Sequence, residues 1–139
     1  LTVAACRSAG DPARYSEQLK SLRPHSPARV FYRAIPWRAM SLLADRMAAI
    51  RRGLGLPPID ARTLATPEEL IVADIDISAF ADQKARAIAC HRTQISGEDV
   101  TAVWSEEVRR EFLTRELFAL MEGQRAAGQP LWDDLFAGL

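Results

Sequence analysis

The sequence lacks a charge excess of either sign: 18 Lys and Arg face 18 Asp and Glu. Nucleic-acid binding draws on clustered positive charge against phosphate, so no such partner is expected. No apolar run approaches the roughly 18 residues of a membrane span, and no basic start precedes an apolar core as in a secretory leader. Cysteine is scarce. Cys6 and Cys90 lie far apart and fit no metal-binding or redox spacing, so two reduced thiols in a cytoplasmic protein are expected. Histidine is equally scarce, with only His25 and His91. His25 sits in Arg23-Pro24-His25-Ser26-Pro27, where two prolines forbid regular structure, and it has no second ligand in range. What remains, 48% hydrophobic and 26% charged in 139 residues, suits one globular domain with its own core.

The most informative stretch is 71–94. From Val72 the pattern alternates, with Ile75 and Ile77 on one face and Asp74 and Asp76 on the other, which predicts a half-buried strand over 71–77. Ser78 stands where a helix N-cap belongs, and the alanine-rich run after it predicts a helix. At about 100° per residue, Phe80, Lys84, Ala87, His91 and Gln94 share one narrow stripe. A plain core stripe would be apolar throughout. This one also offers an ammonium, an imidazole and an amide. The structural reading stands beside the functional one: a lone histidine on a packed face is more often structural, a lysine can snorkel to water, and a glutamine can cap a helix end.

In chain order, 1–8 reads as helix, stopped by Gly10-Asp11-Pro12. Residues 29–35 are rich in β-formers and end at Pro36, which predicts a strand. Trp37, Met40, Ala44, Met47 and Ala48 recur at steps of three and four, so 37–52 is expected to be helical, with Gly53 ending it. The long connection 53–70 contains Thr66-Pro67-Glu68-Glu69, whose capping-box spacing predicts a single turn. Ser105 is placed to cap a helix running to Glu122, with Leu113, Leu117, Leu120 and Met121 on its apolar face. The end, 131–139, is too apolar for a free tail and is expected to dock. Alternating helices and strands argue an α/β fold with helices over a sheet.

The residues Asp76 and Ser78, followed by Lys84-x-x-Ala87-x-x-x-His91-x-Thr93-Gln94, resemble the strand-then-helix signature of the GlcNAc-phosphatidylinositol de-N-acetylase family, also called LmbE-like or PIG-L. The strand around Val30-Phe31-Tyr32 with Ala34-Ile35-Pro36, and the ending Asp134-Leu135-Phe136-Ala137-Gly138-Leu139, are similar to segments of the same family. The resemblance implies a Rossmann-like fold with a mostly parallel sheet flanked by helices. It implies a metal-dependent hydrolase, usually with zinc, that cleaves an acetamide on an amino-sugar conjugate. In such enzymes the ion lowers the pKa of bound water and polarises the carbonyl.

The family's ligand motifs, Ala-His-Pro-Asp-Asp-Glu and His-Pro-Asp-His, have no counterpart here, since the sequence contains no His-Pro-Asp. The expectation is therefore that 1–139 form the C-terminal part of a single LmbE-like domain and supply no metal ligand. Ordering is expected only beside the missing N-terminal segment, another chain or a second copy. Within this stretch the resemblance singles out His91 as the catalytic candidate, orienting a ligand or donating to a developing oxyanion. Lys84 and Gln94 are expected to support it, and Arg33, near the strand end before Pro36, is a substrate-contact candidate. The rival reading is a non-catalytic binding or assembly module of the same fold.

Overall fold

Three short strands carry the architecture: β1 (Phe31–Arg33), β2 (Ile71–Asp76) and β3 (Arg115–Leu120). The computed structural model describes residues 1–58, 60–91, 105–121 and 128–139. Four helices accompany the strands among these residues: α1 (Thr2–Ala9), α2 (Trp37–Gly53), α3 (Ala81–Ala89) and α4 (Glu106–Thr114). The sheet order is β1-β3-β2, and both pairings are antiparallel. Phe31 faces Leu120 and Arg33 faces Phe118 across the first pairing, while Asp74 faces Leu117 and Asp76 faces Arg115 across the second.

The chain is α/β, but the described sheet corrects two expectations. It is antiparallel rather than mostly parallel. Its central strand comes from a segment whose pattern predicted helix. Ser105 does cap α4, its hydroxyl accepting from the Val108 N–H at 3.3 Å. The helix then stops at Thr114, and Arg115 is already extended at φ −131° and ψ 147°. Phe118 and Ala119 have sheet neighbours on both sides, Leu117 pairs with β2 and Leu120 with β1. A short apolar run between two partner strands satisfies its backbone groups in two ladders, which outweighs a helix-like spacing of leucines.

The core is small. Ala34, Ile71 and Ala119 form its centre, with Leu70 and Leu117 packed against it, and Met40, Val72 and Ala73 are also buried. β2 carries an irregularity between Ile71 and Ala73, so Val72 has no direct partner on β3. Its carbonyl accepts instead from the Trp132 N–H at 2.9 Å, and the Asp74 N–H donates to the Trp132 carbonyl at 2.9 Å. Trp132 thereby covers the outer edge of β2, where unpaired N–H and C=O groups would otherwise invite another strand.

The end of the chain docks as expected, through part of its length. The Trp132 ring meets Phe31 edge-on at 6.3 Å, and the Arg29 guanidinium lies 4.6 Å from the Trp132 ring centre. Arg29 also donates to the carbonyls of Leu135 and Ala137, at 3.1 and 2.7 Å. Phe136 remains 75% exposed. The predicted single turn falls at Glu68–Leu70, although Thr66 does not cap it. Thr66 is buried and ties the connection to the end of β1: its N–H donates to the Ile35 carbonyl and its hydroxyl accepts from the Ile35 N–H.

Candidate functional site

The sequence candidates Arg33 and Lys84 meet at one carboxylate. Arg33 closes β1, Lys84 lies in the first turn of α3, and Glu116 stands second on the central strand. Glu116 accepts from Arg33 Nε through one oxygen at 2.6 Å and from Lys84 Nζ through the other at 2.8 Å. Phe112, near the end of α4, backs both cations: Arg33 Cζ lies 4.8 Å and Lys84 Nζ 4.6 Å from its ring centre. Such approaches favour a cation over the negative face of the ring.

Lys84 is fully engaged. Besides Glu116, its ammonium donates to the carbonyl of Phe112 and, at 3.2 Å, to that of Arg115. Three N–H donors thus meet three acceptors. Two of those acceptors are carbonyls at the α4–β3 junction, where a helix end leaves carbonyls without intrahelical partners. The Lys84 side chain is only 12% exposed. Burial pushes its pKa below the usual 10.5, and the bond to Glu116 offsets part of that shift. Lys84 therefore pins α3 to the junction and has no donor left for a ligand.

Two further ion pairs flank the cluster. Arg115 forms a two-pronged pair with Asp74, at 2.7 and 2.6 Å, and this pairing raises the arginine's pKa. Arg38 pairs with Glu111. Between these groups lies a cavity of about 40 Å³, lined by Arg33, Arg38, Val108, Glu111, Phe112 and Leu117 among others. It has room for a water molecule and not for a sugar. Larger hollows occur elsewhere, one of about 420 Å³ beside Cys6, Arg29 and Met121 and one of about 320 Å³ beside Trp37, Arg62 and Glu68. No sequence-predicted site residue lines either of them.

His91 is not part of this cluster. Seven residues beyond Lys84, it lies about 10 Å further along the helix axis, just past the end of α3, with its N–H donating to the Ile88 carbonyl at 3.0 Å. The stripe predicted to press inward is also displaced. Phe80, Ala87 and His91 are exposed in this chain, and the half-buried residues of α3 are Ala81, Lys84 and Ile88. Gln94 lies outside the described residues. Ser78 does not cap the helix by its side chain. Its N–H instead donates to the Asp76 carboxylate at 2.8 Å, and that bond holds the Asp76 pKa below the usual 3.8.

Sequence reasoning missed Glu116 and Phe112. Both fell within the run assigned to one continuous helix, which conceals a pairing between β1 and β3. The available signal was the unbroken Leu117-Phe118-Ala119-Leu120, a short apolar run as compatible with a strand as with a helix.

No family model and no solved structure matches the chain. Curated relatives do. A 1D-myo-inositol 2-acetamido-2-deoxy-alpha-D-glucopyranoside deacetylase of Geodermatophilus obscurus is 30% identical over 142 residues, which cover 100% of this chain and 47% of the relative. The Streptomyces griseus protein of the same name is 31% identical over 144 residues, covering 100% of this chain and 43% of its own length. The Saccharomonospora viridis protein is 36% identical over 97 residues, 67% of this chain and 35% of the relative. The chain belongs to the LmbE-like deacetylase family. It spans less than half the length of these LmbE-like relatives.

The zinc implied for an LmbE-like enzyme does not fit the residues here. Among the described residues no group of three or more His, Cys, Asp or Glu side chains is placed to hold a metal ion. The carboxylates of the cluster already face cations: Glu116 meets Arg33 and Lys84, Asp74 meets Arg115, and Glu111 meets Arg38. No metal ligand is assigned within this LmbE-like chain.

Proposed function

We propose that this chain is the C-terminal part of a single LmbE-like domain in a metal-dependent N-deacetylase. The metal is zinc, its ligands come from sequence outside these residues, and the substrate is a small N-acetylated amino-sugar conjugate. The observation that carries the reading is the match along the whole chain to proteins named as deacetylases of an acetamido-glucopyranoside of inositol. The surface adds support. Leu54, Leu56, Leu64, Phe80, Phe136 and Leu139 are each exposed by 46% or more, which suits a body that packs against further sequence of a Rossmann-like domain. His91 is the proposed catalytic contribution of this stretch and Arg33 its substrate contact, with Lys84 and Gln94 supporting. No helix among the described residues is long and apolar enough to cross a membrane, and a cytoplasmic location is part of the proposal.

The test is acetate release from the N-acetylglucosaminyl inositol by the whole protein, before and after chelation and after zinc is returned. Activity that follows the metal is expected. The 139-residue chain alone is expected to bind no stoichiometric zinc by equilibrium dialysis and to release no acetate. In the whole protein, His91→Ala should lower turnover more than it lowers stability. A whole protein that binds the conjugate and never hydrolyses it would support the binding-module reading instead.

A further inference from the structure

We propose that Glu116 is a positioning residue that holds Arg33 as a fixed fork for oxygen atoms of the amino-sugar conjugate, a role that rests on the deacetylase reading above. The geometry supplies two constraints on one guanidinium: the bond from Nε to Glu116 at 2.6 Å and the Phe112 ring 4.8 Å from Cζ. A guanidinium tied at Nε and set against a ring has its plane and direction fixed. Its two terminal amino groups have no partner among the described residues, and the side chain is 41% exposed.

The neighbouring cations differ in this respect. Arg115 directs Nε and a terminal amino group at Asp74, Arg38 gives an amino group to Glu111, and Lys84 has all three protons engaged. Among the described residues the guanidinium of this cluster with neither terminal amino group engaged is therefore that of Arg33. Two parallel N–H groups match vicinal hydroxyls or an anionic oxygen pair. An arginine already fixed loses less rotamer freedom when it binds than a mobile one. Glu116 provides that fixing, and Lys84 holds the other oxygen of Glu116 so that the carboxylate cannot turn away.

The experiment uses the whole protein, the N-acetylglucosaminyl inositol and four variants. Glu116→Gln removes the charge that holds Nε, and Arg33→Met removes the fork. Each should raise KM by about tenfold, the loss of one charge-assisted hydrogen bond, with kcat within about twofold. The double variant should be no worse than Arg33→Met alone, because Glu116 acts through Arg33. Asp74→Asn is the structural control. It breaks the Arg115 pair in the same sheet and should lower Tm while leaving KM unchanged. The proposal is overturned if Glu116→Gln and Arg33→Met lower Tm as the control does without raising KM, or if their effects on KM multiply in the double variant. Should Glu116→Gln fail to fold, an unchanged KM in Arg33→Met overturns the proposal by itself and a raised one supports it.

A wild-type protein without hydrolytic activity would sink the deacetylase reading separately. Calorimetric binding of the glucosaminyl inositol then decides this inference. Tight binding by wild type that weakens in both variants sustains the fork. Equal affinities, or no binding by wild type, overturn it.

Discussion

Lys84 gives the sharpest stability prediction, because its replacement by Met keeps the stem and removes only the charged head. Three interactions vanish: the donations to the Phe112 and Arg115 carbonyls and the charge-assisted bond to Glu116. Hydrogen bonds to neutral carbonyls contribute about 1 kcal/mol each, and a bond between charged groups about 1.5–3 kcal/mol. Burying the ammonium opposes them, which is the same desolvation that lowers the Lys84 pKa. The balance is a loss of about 2–3 kcal/mol for Lys84→Met, read as a lower urea midpoint at unchanged m-value in the whole protein. There is also a pH signature. Between the lowered native value and 10.5 the unfolded chain holds the Lys84 proton that the native chain has released, so stability rises with pH across that window. Lys84→Met should lose that rise. A change under about 0.5 kcal/mol, or an alkaline limb identical to wild type, would refute the description of Lys84 as the pin between α3 and the α4–β3 junction.

Other perturbations test other links. Trp132→Ala removes the edge contact to Phe31 and the ring beneath Arg29, for a loss of about 2–3 kcal/mol from a half-buried indole. Hydrogen exchange at the amides of Asp74 and residue 132 should quicken at the same time, and unchanged protection would mean that the backbone bridge does not depend on the ring. Asp76 is stabilised as a carboxylate chiefly by the Ser78 N–H, so its contribution is complete above pH 3.8 and fades as pH falls through the lower native value. Asp76→Asn should flatten the acid limb of a stability profile, and a limb of unchanged slope would show that the group does not matter there. Val72→Ala deletes two methyl groups at a site 1% exposed, which costs about 2 kcal/mol in thermal or urea unfolding. A neutral result would contradict the packing of that irregularity.

What could be read from the sequence follows from how local each signal is. β2 and α2 announced themselves because alternation and three-four periodicity survive within one segment. The turn at Glu68–Leu70 was visible because proline and the acidic pair after it act over four residues. β3 was hidden. Ser105 starts a real helix, and Leu113, Leu117 and Leu120 continue its spacing across a junction with no turn residue to mark it. Arg33 and Lys84 were singled out separately, but their meeting depends on Glu116, whose place is set by strand pairing rather than by neighbours in the chain. For α3, the helical wheel gave the spacing of Phe80, Ala87 and His91 correctly. It carried no information about which edge of the helix the α4–β3 corner would cover.

The strand order β1-β3-β2 has a consequence for biosynthesis. The two outer strands leave the ribosome well before the one that joins them, and they make no ladder with each other. Until residues 115–120 emerge, the edges of β1 and β2 are open and Val72 has neither β3 alongside nor Trp132 to accept from. Closure of such sequence-distant pairings is slow compared with helix formation. Residues 31–114 therefore emerge without this three-stranded sheet, a form that holdase chaperones recognise by its uncovered strands. A ribosome stalled before the codon for Arg115 would display that form, and one stalled after residue 132 has cleared the exit tunnel would not.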